Sequence, residues 1–170
     1  MLQSGLSPVG AFFFLIPVIA SLLLAASAAV AAMGAVSLRT MTEQADLIIY
    51  GKVDSLATEE HPFQPEANGE MQGRTPYRVL ASVSAIEAVK GRPPDRRIVV
   101  TTFPGMEDQP VFHRDEHVIL FLVSIEGGES YSTYALLQGK FDVSDGQVIR
   151  VQQSVQDFLI EVRSYIPATK

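Results

Sequence analysis

His117 to Ile125 reads HVILFLVSI, and Val118 to Val123 is an unbroken apolar run. Successive residues of a β-strand point to opposite faces. A strand that is apolar at every position must therefore be covered on both sides, so this stretch predicts the most central strand of a sheet. Its β-branched content and its length favour a strand over a helix. Downstream, Gly127-Gly128 predicts a hairpin turn into a strand over Tyr131–Gln138, and Gly139 breaks that strand before Lys140–Ser144. Asp145-Gly146 is a strong signal for a two-residue hairpin leading into Gln147–Gln152. The chain then turns helical. Ser154 and Asp157 have capping-box spacing, Val155, Phe158, Val162 and Ile166 form an apolar stripe, and Pro167 ends it.

Upstream, Tyr77, Val79, Ala81, Val83 and Ala85 alternate with Arg78, Leu80, Ser82 and Ser84, the pattern of a strand with one face in the core. The apolar phase slips at Ile86, with Val89 following, which predicts a bulge or bend. Gly91 to Asp95 is a turn, and Ile98-Val99-Val100 begins a strand that stops at Pro104-Gly105. Thr58 to Thr75 is polar, with two prolines and two glycines, and reads as a long exposed loop. Asp46 to Val53 reads as a strand, and Ser37 to Ala45 as a short helix with Leu38, Met41 and Ala45 on one face. Val79, Ala81, Val83, Val118, Leu120 and Leu122 are the expected core. Six or seven short strands with a helix at each end predict a mainly β domain, a small barrel or a sandwich. Strand–helix alternation and a Gly-rich phosphate loop are both lacking, which argues against a doubly wound nucleotide-binding fold.

No Asp, Glu, Lys or Arg precedes Arg39, and Ala11 to Val36 is almost wholly apolar. The bulky run Phe12–Leu24 followed by Ala26-Ser27-Ala28 and Ala29-Val30-Ala31 matches a signal peptide, though the usual basic n-region is missing. The run is also long enough to cross a bilayer as an anchor. Residues 1–33 are thus a signal peptide or membrane anchor, and residues 37–166 are one domain. Any contact with a membrane would run through residues 11–33. The expected location is secreted, periplasmic or membrane-anchored on the extracytoplasmic side.

The net charge of −6 lies wholly in the chain from Arg39 onward. It opposes phosphate backbones and argues against nucleic-acid binding. Lys90, Arg92, Arg96 and Arg97 form the one basic cluster, broken by Gly91, Pro93, Pro94 and Asp95, and read as a solvated turn. The chain has no cysteine, which excludes disulfides, thiol nucleophiles, Cys-ligated zinc, iron–sulfur sites and lipid attachment through an N-terminal cysteine.

Three stretches resemble netrin-like domains and the tissue inhibitors of metalloproteinases. They are Gln44 to Val53 (QADLIIYGKV), the strand running into Ile86 to Gly91 (IEAVKG), and Asp115 to Leu122 (DEHVILFL). Small bacterial envelope proteins look similar. The likeness spans roughly residues 40 to 145 and implies a closed five-stranded OB-type barrel with an added helix. The tissue inhibitors chelate their protease's zinc through an N-terminal cysteine. This chain has none, so no inhibitory residue carries over, and protease inhibition would need a cysteine-independent contact.

The sharpest chemical pattern is His113-Arg114-Asp115-Glu116-His117, which matches H-x-x-E-H. Two histidines four apart share a face only on a helix, with the glutamate beside them as base. Here the residues run into a β-branched strand, so the expectation is a surface turn. No metal, catalytic residue or cofactor is assigned. A metal-dependent hydrolase using His113, Glu116 and His117, with Glu161 formally available as a third ligand, is the alternative. His61, beside Glu59 and Glu60, reads as part of a solvated loop. The pairs Asp115/Glu116 and Glu107/Asp108 lie in turns and are expected to be solvated. Tyr131, Tyr134 and Phe141 could stack a ligand but are expected to pack. The reading that remains is a non-catalytic binding module for a protein or glycan partner, met on the sheet face or on the 58–75 loop.

Overall fold

The computed structural model describes residues 35–60, 77–104, 106, 108–125 and 130–167. The apolar leader, most of the 58–75 loop and the Gly127-Gly128 turn lie outside them. Among the described residues no helix is long and apolar enough to cross a membrane.

The chain is mainly β. A short helix α1 (Leu38–Gln44) precedes the long strands β1 (Leu47–Glu60) and β2 (Tyr77–Lys90). Then come β3 (Arg97–Thr102), β4 (His117–Ile125), β5 (Ser130–Thr133), a 3₁₀ turn (Leu136–Gly139) and β6 (Lys140–Ser144). Two-residue strands β7 (Gln147–Val148) and β8 (Gln153–Ser154) lead into helix α2 (Val155–Ser164). The sheet runs β1-β2-β3-β5-β4-β6-β7-β8, and β4 also pairs with β1, so five strands form a ring. All these pairings are antiparallel except β3 with β5, which meet at Val100 and Tyr131.

The double-sided strand accounts for the layering. On one face of β4, Val118, Leu120 and Leu122 meet Leu47, Ile49, Val53, Ala81 and Val83 across the ring. On the other face, Ile119 and Phe121 pack with Phe141 and with Phe158, Leu159 and Val162 of α2, joined by Met41 of α1. From Val118 to Leu122 both faces of β4 are fully covered, as the composition of that run requires.

Local signals explain the element ends. Ser37 caps α1 by accepting from the Thr40 amide at 3.0 Å, and Ser154 caps α2 by accepting from the Asp157 amide at 3.1 Å. The slip at Ile86 is a bulge. Tyr50 pairs with Glu87 and Gly51 with Ala85, which leaves Ile86 as the extra residue, 55 % exposed. Asp145 and Gly146 both have positive φ (51° and 73°), the geometry of a tight two-residue hairpin.

Several boundaries differ from the sequence reading. Strand β1 does not stop at Val53 but continues to Glu60, because its polar outer half is held by pairing with β2 as far as Glu60 and Tyr77. The strand expected over Tyr131–Gln138 ends at Thr133. Ala135 and Leu136 take left-handed conformations (φ 54° at each), and a Cβ on Gly139 would lie 2.1 Å from the Tyr134 carbonyl oxygen, so the chain turns back tightly here. The Gln147–Gln152 strand shrinks to two residues, with Gln152 at φ 54°. Helix α2 ends before Ile166, whose amide bonds Arg163 O in a tightened last turn ahead of Pro167. Val79 is only half-buried, because it lies where the ring opens.

Candidate functional site

The H-x-x-E-H residues do not form a helix. His113 is in an exposed loop, Arg114 and Asp115 form a turn with Asp115 at φ 68°, and His117 is the first residue of β4. The Asp115 amide donates to Val53 O, and the Val53 amide donates to Glu116 O, both at 2.9 Å, so this segment extends the β1–β4 ladder. Each acidic side chain is held by a lysine. Asp115 lies 2.7 Å from Lys52 Nζ, and that hydrogen bond and charge hold its carboxyl below the usual carboxylate range. Glu116 meets Lys140. His117 Nδ1 faces the Tyr50 hydroxyl at 3.3 Å. Glu161 is on α2, engaged with Gln153 and Tyr165. No group of three potential ligands comes together among the described residues.

Lys140 is the feature the sequence concealed. Its side chain is 5 % exposed, with Nζ 3.1 Å from both carboxylate oxygens of Glu116 and 2.5 Å from Asp142 Oδ1. The ammonium also stands 5.3 Å from the centre of the Phe112 ring. Glu116 is therefore not the solvated turn carboxylate expected of it. Lys90 departs in the same way. It caps α1, donating to the carbonyls of Thr42, Glu43 and Ala45 at 2.8, 2.9 and 2.6 Å, where a cation suits the helix C-terminus. Tyr131 is buried within the ring, and Phe141 packs against Phe121 and Phe158 at 5.6 and 4.9 Å. Tyr131, Tyr134 and Phe141 form no shared stacking face, since they divide between the two hydrophobic clusters. His61 lies outside the described residues.

A cavity of about 290 Å³ opens where β1 and β2 run on past the ring. Phe112, Thr102 and Val79 line it from the side of the core, and Leu56, Met106 and Val111 from the outer side. A second bulge creates the outer wall. Val53 pairs with Val83 and Ser55 with Ser82, so Asp54 is the extra residue. That insertion returns Leu56 and Thr58, instead of Ser55 and Ala57, to the face that carries Val53. Asp54 is held in place by the Ser84 hydroxyl at 2.6 Å. The opposite wall is fixed by the Thr102 hydroxyl, which donates to Pro110 O at 3.0 Å, and by the Leu137 amide, which donates to Asp108 O at 2.6 Å. Among the described residues no charged side chain lines this cleft. No protein-family model and no curated protein matches the chain.

Proposed function

We propose that the chain is an exported or membrane-tethered, non-catalytic binding module whose ligand places an apolar group in this cleft. The observation that carries the proposal is the wall itself. Leu56 and Met106 are each 41 % exposed and Val111 is 63 % exposed, and all three converge on one cavity whose inner side is the buried Phe112. Apolar side chains left open around a concavity with a few fixed polar groups are the usual make-up of a ligand site. The five-strand ring with α2 packed outside it supports reading the fold as an OB-type barrel, as the netrin-like resemblance implies, with the cleft at its mouth. The apolar leader supports the exported or tethered location.

Titrating the methyl-labelled protein with hexanol and with phenylethanol tests the site. Saturable NMR shifts at Leu56, Val79, Met106 and Val111, with Ile149 and Ile160 unmoved, are expected. Equal shifts at all the exposed methyls, or none, would remove the cleft as a ligand site. The intact mass of the protein recovered from its native fraction gives the mature N-terminus and tests the location.

A further inference from the structure

The cleft has a neighbour that narrows the class of ligand: the outer edge of β1. As far as Val53 this edge pairs with β4 and with the Asp115–Glu116 segment. The turn at Arg114 and Asp115 then carries the chain away. From Ser55 to Glu60 the strand pairs only with β2 among the described residues, and all six residues are exposed. The direction of the free groups follows from the register. Val53 exchanges its amide and carbonyl with the β4 side. Past the Asp54 bulge, Leu56, Thr58 and Glu60 share the face of Val53 and, by the alternation of an antiparallel strand, point their N–H and C=O groups outward. A row of main-chain donors and acceptors with no partner among the described residues thus runs alongside the apolar cavity, and the side chains at its two ends, Leu56 and Glu60, share the face of Val53. Glu60 has no cation within ion-pair distance among the described residues, whereas its neighbour Glu59 is paired with Arg78.

We propose that this edge takes an extended peptide as an added strand. One apolar side chain of the peptide enters the cleft, and a basic side chain two positions away, on the same face, meets Glu60. The proposal rests on the reading of the cleft as a ligand site and specifies its occupant. Main-chain pairing supplies affinity, and alternate side chains supply selection, as in other strand-addition complexes. Two observations choose a basic peptide over other occupants. The described lining of the cleft has no charge to neutralise, and the acidic group at its open end belongs to a chain of net charge −6. A small apolar ligand or a glycan would make no use of three consecutive outward-facing backbone sites.

The probes are two capped hexapeptides, TTLTKT and its reverse TKTLTT, which cover both strand directions. They are titrated by NMR against the full chain, in detergent where the leader is retained. One of them is expected to bind. In TKTLTT, which would add antiparallel, the leucine amide faces β1 and the next threonine amide faces solvent; in TTLTKT, which would add parallel, the two are exchanged. N-methylation of the amide that faces β1 should weaken binding roughly tenfold, while N-methylation of its solvent-facing neighbour changes little. Glu60→Lys should reverse the preference at the charged position, so that a glutamate peptide outbinds the lysine peptide by roughly two- to fivefold. Leu56→Lys should abolish binding, and Ile160→Lys on α2 should leave it unchanged. If both N-methylated peptides bind alike, or if Glu60→Lys does not alter the charge preference, the added-strand reading is wrong. Hexanol shifts at the cleft without any peptide binding would overturn this inference alone. Loss of the hexanol shifts would overturn the cleft reading with it.

Discussion

At the scale of single residues, the most consequential side chain is Lys140. A buried ammonium is tolerated only when paired, and removing one partner strands the other charge. Glu116 is 17 % exposed and Lys140 5 %, so the pair is largely out of water, while Asp142 at 62 % remains solvated. Lys140→Met should therefore cost about 3 kcal/mol in urea unfolding, most of it recovered in the double variant with Glu116→Gln. A double variant as unstable as the single one would place the cost in packing against Phe112 instead. Asp115 behaves differently because it is exposed. Its carboxyl is held low by the hydrogen bond and charge of Lys52, so whatever stability the pair adds is present above the ordinary carboxylate pKa, about 3.9. That stability is lost as the pH falls through the lower folded-state value. Lys52→Met should raise the Asp115 titration towards its ordinary range. An NMR pH titration of the Asp115 carboxyl that is identical in both proteins would show that the lysine is not the cause.

At the scale of elements, strand β4 organises the molecule. Each of its interior residues serves one of two cores, so shortening one opens a cavity that neither layer can refill easily. Leu120 is fully buried in the ring, and Leu120→Ala should destabilise by about 2–5 kcal/mol in chemical denaturation. A change below about 0.5 kcal/mol, the scale of an ordinary surface substitution, would mean that the strand register is wrong. Strand β1 shows the opposite design. Its inner half is covered on both faces, and its outer half is exposed throughout. The join is the Asp54 bulge, one residue wide, which keeps Leu56 on the cleft side. Deleting Asp54 should remove the bulge yet leave Leu56, then two residues after Val53, on the cleft side with its partner Ala81 unchanged.

At the scale of the whole molecule, both hydrophobic clusters are built from residues Val36 to Val162. The piece from Val36 to Lys170 should therefore fold without the leader and unfold in a single cooperative transition with dispersed NMR signals. A molten, broad transition for that piece would mean that the leader contributes to the core. The amide of Val36 donates to the Gln138 side chain at 2.7 Å, which ties the start of this piece to the 3₁₀ turn.

The sequence by itself determined the elements that depend on local chemistry. The unbroken apolar run of β4 required cover on both faces, and the helix caps at Ser37 and Ser154 needed only the neighbouring amide. The bulge at Ile86 announced itself as a phase slip, and Asp145-Gly146 as a pair suited to positive φ. What the tertiary structure decided was which strands meet. The five-strand ring, the second bulge at Asp54 and the outer half of β1 depend on partners far along the chain, and polar residues such as Thr58 and Glu59 carry no local mark of strand. The same reason hid the functional features. Lys140 looks like a solvent lysine until Glu116, Asp142 and Phe112 are brought around it. Likewise Leu56 joins Met106 and Val111, 50 and 55 positions further along the chain, around one cavity only when β1 and the segment before β4 are folded side by side. Burial and charge pairing between distant residues are properties of the assembled fold, and no local pattern encodes them.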